Sequence, residues 1–239
     1  MGGKVRFISM LPVYILILGG FLILAILGSQ AVTVWSENAP ISNRKCVIID
    51  AGHGGEDGGA ISCTGVYESQ INLEIALRLN DLLHLLGIET NMIRTTDCSV
   101  YTQGNTLAAK KLSDLKERVR IANEAENAIL LSIHQNQFTD SRYSGAQVFY
   151  ANTNGSKELA QEIQSGFVRA LNPGSKRGIK KSDGVYLMQH IQCTGVLVEC
   201  GFLSNPTEEA QLRSKDYQMK ICCVLAASVS NYLHGNSTA

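Results

Sequence analysis

The sequence predicts one α/β domain with a central, mostly parallel sheet that helices cover on both faces. Short apolar runs such as Cys46-Val47-Ile48-Ile49 are typical of strands buried on both sides. These runs alternate with segments whose apolar residues recur at helical spacing, and such alternation indicates a parallel sheet. Of the 239 residues, about 200 follow a distinct N-terminal segment, which is enough for one domain with a full core.

The first 31 residues are predicted to be a signal or a membrane anchor. Lys4 and Arg6 precede an uncharged apolar stretch from Met10 to Gly28, which is close to the length that spans a bilayer. Because the positive charges lie on its N-terminal side, we expect the rest of the chain to be extracytoplasmic. Ser29-Gln30-Ala31 also fits a signal-peptidase site, so membrane-anchored and secreted forms both stay open.

A polar linker over residues 32–44 is predicted to lead to a domain over residues 45–235. Its first strand, 46–49, runs into a glycine-rich sequence that contains His53. A helix is predicted from Ile71 to Leu86 because its apolar residues recur every three or four positions, with Glu68 at its start.

Later elements follow from the same two periodicities. Asn205-Pro206 has the N-cap residue and the first-turn proline that open a helix. A long polar connection over 97–113 is either a lid beside the substrate or an exposed insertion. The predicted strands are 88–94, 128–133, 147–150 and 195–198, and the other predicted helices are 114–125, 156–171 and 216–233.

Three ionisable residues follow predicted strands: His53, His134 and Glu199. Ligands bind outside the carboxyl ends of strands in such sheets, so we expect these side chains to converge on one edge. Two imidazoles and one carboxylate are an established ligand set for catalytic zinc. His53, Glu68 and His134 are therefore predicted to hold one zinc ion.

Glu199 is predicted to be the catalytic acid and base. It follows the apolar run Val196-Leu197-Val198, and a carboxylate in an enclosed site has a raised pKa that suits proton transfer. Zinc would activate water and polarise a carbonyl group, which favours amide hydrolysis. A salt-bridged structural glutamate is the alternative role for this residue.

Several other functions are disfavoured. Lys plus Arg equals Asp plus Glu at 21 each, which argues against a nucleic-acid partner. The glycine loop lacks GxGxxG spacing and a Walker lysine, so nucleotide binding is not indicated. Seven cysteines without a CxxC pair are expected to be mostly free thiols. His190 is the remaining rival for a metal ligand.

Four ordered motifs resemble the zinc-dependent N-acetylmuramoyl-L-alanine amidases of bacterial cell walls, over Lys45 to about Leu233. They are Asp50-Ala51-Gly52-His53-Gly54-Gly55, then Glu68, then Ser132-Ile133-His134-Gln135-Asn136, and then Val198-Glu199-Cys200-Gly201-Phe202-Leu203-Ser204-Asn205. The resemblance implies a mixed, twisted sheet, the zinc ligands His53, Glu68 and His134, and Glu199 as catalytic residue. It also implies Asn136 as a substrate-lining residue. Ala51, Gln135 and Cys200 depart from the family's usual residues, but none of them is a ligand.

The short N-terminal anchor, the absence of wall-binding repeats and the stretch Gly184–Gln189 are most similar to the sporulation-specific CwlD subgroup. From that stretch Leu187 is expected to line the substrate site. The resemblance implies removal of stem peptides from muramic acid in spore cortex, the first step toward the muramic-δ-lactam needed for germination. Its partners would be peptidoglycan strands, the membrane and an activating protein.

Two alternatives remain open. Zinc and glutamate chemistry does not itself specify the bond, so the protein could be another zinc peptidase or deacetylase of the cell wall. It could also be a membrane-tethered, non-catalytic binding module that needs an activating partner. The presence of Glu199 favours the enzyme.

Overall fold

The structure, a computed structural model, describes residues 45–235. The predicted signal or anchor at 1–31 and the predicted linker at 32–44 lie outside the described residues. Across residues 45–235, no helix combines the length and apolar composition needed to cross a membrane.

Six strands form one mixed sheet in the order β2-β1-β3-β6-β4-β5. Four neighbouring strands, β2, β1, β3 and β6, run parallel, whereas β4 runs antiparallel to β6. The carboxyl ends of β1, β3 and β6 therefore meet at one edge. The strands are β1 (Cys46–Ala51), β2 (Thr90–Met92), β3 (Ala128–Asn136), β4 (Gln147–Tyr150), β5 (Lys180–Lys181) and β6 (Thr194–Phe202).

Helices cover both faces of this sheet, so the predicted fold class is confirmed. One face packs against long helices through residues such as Ile75, Phe167 and Leu225. The other face packs against a helix and a short helical turn through Ala122 and Met188. The helices are α1 (Glu68–Leu85), α2 (Leu107–Glu124), α3 (Ser156–Ala170), α4 (Tyr186–His190), α5 (Pro206–Leu212) and α6 (Lys215–Gly235).

Helix α2 begins seven residues earlier than predicted, inside the segment expected to be a polar connection. Thr106 is its N-cap, and the Thr106 hydroxyl accepts a hydrogen bond from the Ala109 amide. The first turns expose Leu107 and Leu112 and bury little, so they lack the apolar periodicity that predicts a helix. The polar connection therefore ends at Thr106, and the helix begins at Leu107.

The strands β3 and β6 extend beyond their predicted ends. His134 and Glu199 lie inside them as directly paired residues, rather than in the loops that follow. The apolar pattern stops earlier because polar residues that face the site replace apolar ones while the backbone ladder continues. Asn205 caps α5 as predicted, since its side chain accepts hydrogen bonds from the amides of Thr207 and Glu208.

All seven cysteines lie in the described residues, and none of them is paired in a disulfide there. Cys200 and Cys222 are fully buried. Burial raises the pKa of both thiols, that of Cys222 to about 12. These two side chains act as small apolar groups of the core.

Phe167→Ala is expected to destabilise the fold by about 3 to 5 kcal/mol, because it removes a large buried side chain and leaves a cavity. Phe167 is fully buried between α3 and the sheet. For a domain of this size, that loss lowers Tm by roughly 10 °C. Leu85→Ala is the control, since Leu85 is 81% exposed at the end of α1. Equal Tm values for the two variants would contradict this description of the core.

Candidate metal centre and active site

His53 lies in the loop that leaves β1, in a backbone conformation that is rare for residues other than glycine. Its φ is +61°, in the left-handed region. The loop closes through paired backbone hydrogen bonds between Gly54 and Asp57, of 2.8 and 3.2 Å. This turn directs the His53 ring towards the start of α1.

Glu68 is the first residue of α1 and is 4% exposed. One carboxylate oxygen accepts a hydrogen bond from the Ala60 amide at 3.0 Å. The other accepts from the Gln135 amide and from the Asn72 side chain, both at 3.1 Å. Glu68 is therefore fixed from both sides of the site, at a helix N-terminus that favours negative charge.

His134 reaches the same point from β3. Its Nδ1 lies 2.9 Å from Glu68 Oε1, and His53 Nε2 lies 3.2 Å from Glu68 Oε2. The two imidazole rings meet edge to face, with centroids 5.0 Å apart. A Cβ atom on Gly52 would lie 2.3 Å from His134 Nε2, so only glycine lets this ring pack against the loop.

The structure thus brings together the three residues predicted to bind zinc. One donor atom from each of His53, Glu68 and His134 lies within 4.8 Å of the others. Two imidazoles and a buried carboxylate are the donors that zinc takes in catalytic sites, so the residues fit the predicted metal. Within residues 45–235, this is the one group of three such side chains that could hold a metal ion.

Electrostatics at this group favour a cation. Burial raises the pKa of Glu68, but hydrogen bonds from His134 and His53 outweigh it, and the pKa falls well below its usual range. For His53, burial lowers the pKa, but hydrogen bonds to Asp57 and Glu68 outweigh burial and raise this pKa to about 9. The group therefore carries a carboxylate that stabilises positive charge beside it.

Asp57 supports His53 from the far side of its ring. His53 Nδ1 lies 2.9 Å from Asp57 Oδ2, and Lys111 Nζ lies 2.8 Å from Asp57 Oδ1. A carboxylate on the second nitrogen of a ligating histidine fixes its tautomer and ring orientation. Asp57 is a functional residue that the sequence analysis does not predict; the one signal for it is its position four residues after His53 in the glycine loop.

Glu199 lies directly opposite His134 in the β3–β6 pairing. Its Oε2 is buried without a hydrogen-bond partner among the described residues. Burial raises the pKa of Glu199 to about 7, the nearby Glu68 acts in the same direction, and the two histidines oppose it. A carboxyl group with a pKa near neutrality can both accept and release a proton at working pH.

A cavity of about 480 Å³ opens on this site between α2 and α4. Leu187, predicted to line the substrate site, is among its lining residues. Asn136, also predicted to line the substrate site, is not among the residues that line this cavity. It lies half-buried at the end of β3, where its carbonyl oxygen accepts a hydrogen bond from the Leu203 amide. A larger groove of about 870 Å³ near Tyr143 contains none of the four site residues.

His190, the rival ligand, lies apart from this group. It is exposed at the end of α4, where its ring stacks on Tyr186 with centroids 3.9 Å apart. Its Nδ1 lies 2.8 Å from the Tyr186 carbonyl oxygen. His190 is therefore a surface residue of this helix.

Comparisons with known proteins agree on one family. The family model described as N-acetylmuramoyl-L-alanine amidase matches residues 47–231. The germination-specific N-acetylmuramoyl-L-alanine amidase of Bacillus subtilis is 36% identical over 200 residues, which cover 83% of this chain and 82% of that protein. The amidase LytC of the same organism is 33% identical over 73% of this chain and 32% of its own length.

Two solved structures are each similar over about 80% of the chain. The CwlD amidase of Clostridioides difficile, solved in complex with the GerS lipoprotein, has a TM-score of 0.77 at 37% identity, covering 80% of this chain and all of that chain. An N-acetylmuramoyl-L-alanine amidase of Clostridium difficile 630 has a TM-score of 0.71 at 32% identity, covering 81% of this chain and 98% of that chain.

Proposed function

The chain belongs to the N-acetylmuramoyl-L-alanine amidase family, whose enzymes act on peptidoglycan, and we propose that it is a zinc-dependent member. One zinc ion per chain is held by His53, Glu68 and His134. The convergence of these three side chains, with donor atoms within 4.8 Å, carries the proposal. Two histidines and one carboxylate leave a catalytic zinc an open position.

The bond cut is the amide between muramic acid and the L-alanine of the stem peptide. Zinc, when bound, supplies Lewis-acid chemistry that acidifies water and polarises a carbonyl group. Glu199 accepts the proton of the attacking water and passes it to the departing amine nitrogen. Its pKa of about 7 and its position opposite His134 support this role.

The cavity between α2 and α4 receives the substrate. Leu187 is proposed to pack against the sugar or its lactyl group, because it is an apolar residue on the cavity wall. Asn136 is proposed to contact the substrate at the outer edge of the site, two residues after His134. Asp57 holds the His53 ring in place while the substrate binds.

Residues 45–235 are proposed as the catalytic domain, placed outside the cytoplasm by the N-terminal 31 residues. We further propose that the enzyme acts in spore cortex, as the first step toward muramic-δ-lactam. The similarity to a germination-specific amidase supports this role. A lipoprotein is proposed as an activating partner, since the similar CwlD amidase was solved in complex with GerS.

Digestion of purified peptidoglycan by the full-length, zinc-loaded chain tests the reaction. Mass spectrometry is expected to detect free peptides that begin with L-alanine, together with glycan strands that have lost them. Loss of acetyl groups alone would indicate a deacetylase, and cuts within the peptide would indicate a peptidase. No product from a folded, zinc-loaded chain would contradict hydrolysis by the chain alone. It would indicate either an obligate activating partner or the non-catalytic binding module.

A further inference from the structure

Two buried arginines bind the backbone of the loop that carries His53. Arg94 is 3% exposed, and its four donated hydrogen bonds all go to backbone carbonyl oxygens. Its Nε donates to the carbonyl of Ala51 at 2.8 Å, and its Nη2 donates to the carbonyls of Gly52 at 3.0 Å and Ser69 at 2.9 Å. Arg94 therefore links the loop to the first turn of α1, where Glu68 lies.

Arg118 approaches the same loop from α2. Its Nη1 donates to the carbonyl of Ala51 at 3.0 Å, and its Nη2 donates to the carbonyl of His53 at 2.8 Å. Its guanidinium also pairs with the carboxylates of Asp50 and Asp114. Arg94 and Arg118 together bind three consecutive carbonyl groups, the last of which belongs to His53 itself.

These carbonyl groups need such partners because the chain leaves the sheet here. Strand β1 ends at Ala51, so the next carbonyls lie beyond its ladder. A left-handed conformation at a residue such as His53 costs about 1 to 3 kcal/mol and persists only where its surroundings fix it. The flanking Gly52 and Gly54 add no stiffness of their own.

The choice of arginine is informative. Positive charges beside a cation site oppose metal binding, and Arg94 has backbone carbonyls rather than a carboxylate as its hydrogen-bond partners. A guanidinium, however, presents five donors in a rigid planar fork, whereas a lysine ammonium is a flexible point charge. Geometry therefore explains Arg94 better than charge does. Arg118, whose charge is paired with Asp50 and Asp114, presents the same fork to the carbonyls of Ala51 and His53.

We propose that Arg94 and Arg118 are positioning residues of the metal centre. They hold the backbone of His53 so that its Nε2 faces Glu68 and His134 before a metal ion binds. This inference rests on the proposed zinc site, and it adds that the affinity for zinc depends on two side chains that do not contact the metal.

Arg94→Lys and Arg118→Lys, in the full-length chain, test the proposal. Each substitution keeps the positive charge but removes the fork that spans several carbonyls. We expect the dissociation constant for Zn²⁺, measured by competition with a chelator, to rise about 10- to 100-fold, as for other outer partners of metal ligands. The visible spectrum of bound Co²⁺ should also change, because it reports the arrangement of the ligands.

Arg120→Lys is the matched control, since Arg120 lies in the same helix with its side chain 51% exposed. Asp114→Asn is a milder variant, because it removes the negative charge that pairs with the Arg118 guanidinium and leaves both arginines in place. If the wild-type chain binds no zinc, the proposed function fails. If it binds zinc and every folded variant matches it in affinity and in Co²⁺ spectrum, the positioning role fails.

Discussion

Glu199→Gln is expected to lower kcat for muropeptide hydrolysis by about 10² to 10⁴-fold while zinc stays at about one ion per chain. The amide keeps the size of the side chain, but it cannot accept and return a proton. The metal is retained because Glu199 is not part of the group formed by His53, Glu68 and His134. Turnover measured together with metal content separates these two effects.

Glu158→Gln is the control for this change, since Glu158 is exposed in the first turn of α3. Its activity should equal that of the wild type. If Glu199→Gln kept full activity, Glu199 would not be the proton carrier. A simultaneous loss of zinc would instead make Glu199 part of the metal centre.

The same substitution should stabilise the metal-free protein at alkaline pH. Burial raises the pKa of Glu199 from 4.5 to about 7, so the folded state disfavours its charged form. The resulting loss of stability is absent below pH 4.5, grows between pH 4.5 and 7, and is complete above pH 7. Because the residue is only partly buried, we expect a gain of about 1 to 2 kcal/mol for Glu199→Gln at pH 8, and little gain at pH 4.5. Thermal unfolding at the two pH values measures the difference.

The sequence predicts the scaffold well because burial on both faces leaves a local trace. The continuous apolar runs of β1 and β3 and the helical spacing of α1 follow from each element's own packing. The resemblance to the amidase family, and to the CwlD subgroup, is also confirmed by the comparisons. The start of α2 was missed because Leu107 and its neighbours form helix without burying an apolar face.

The site could be predicted only in part. His53, His134 and Glu199 follow or end apolar runs, so the position of the strands indicates where they lie. Arg94 and Arg118 instead come from different elements and bind backbone carbonyl groups, which leave no residue pattern to detect. Their role depends on the path of the loop after β1, and only the folded chain shows that path.

His134→Ala is expected to weaken zinc binding by more than about 100-fold and to abolish measurable hydrolysis. Outer partners of a metal ligand already contribute about 10- to 100-fold to affinity, so loss of a ligand itself should cost more. His134 also contacts Glu68 and packs against Gly52, so its removal leaves one side of the group open. Metal content after dialysis against a weak chelator measures the loss.

Thermal unfolding gives an independent measure, because a ligand that binds only the folded state stabilises it. At a free zinc concentration 100 times the dissociation constant, the gain is about 2.7 kcal/mol. Zinc should therefore raise the Tm of the wild type and of His190→Ala, whose exposed side chain lies apart from the group, but not the Tm of His134→Ala. An equal rise in all three proteins would remove His134 from the ligand set, since the metal would then be held without it.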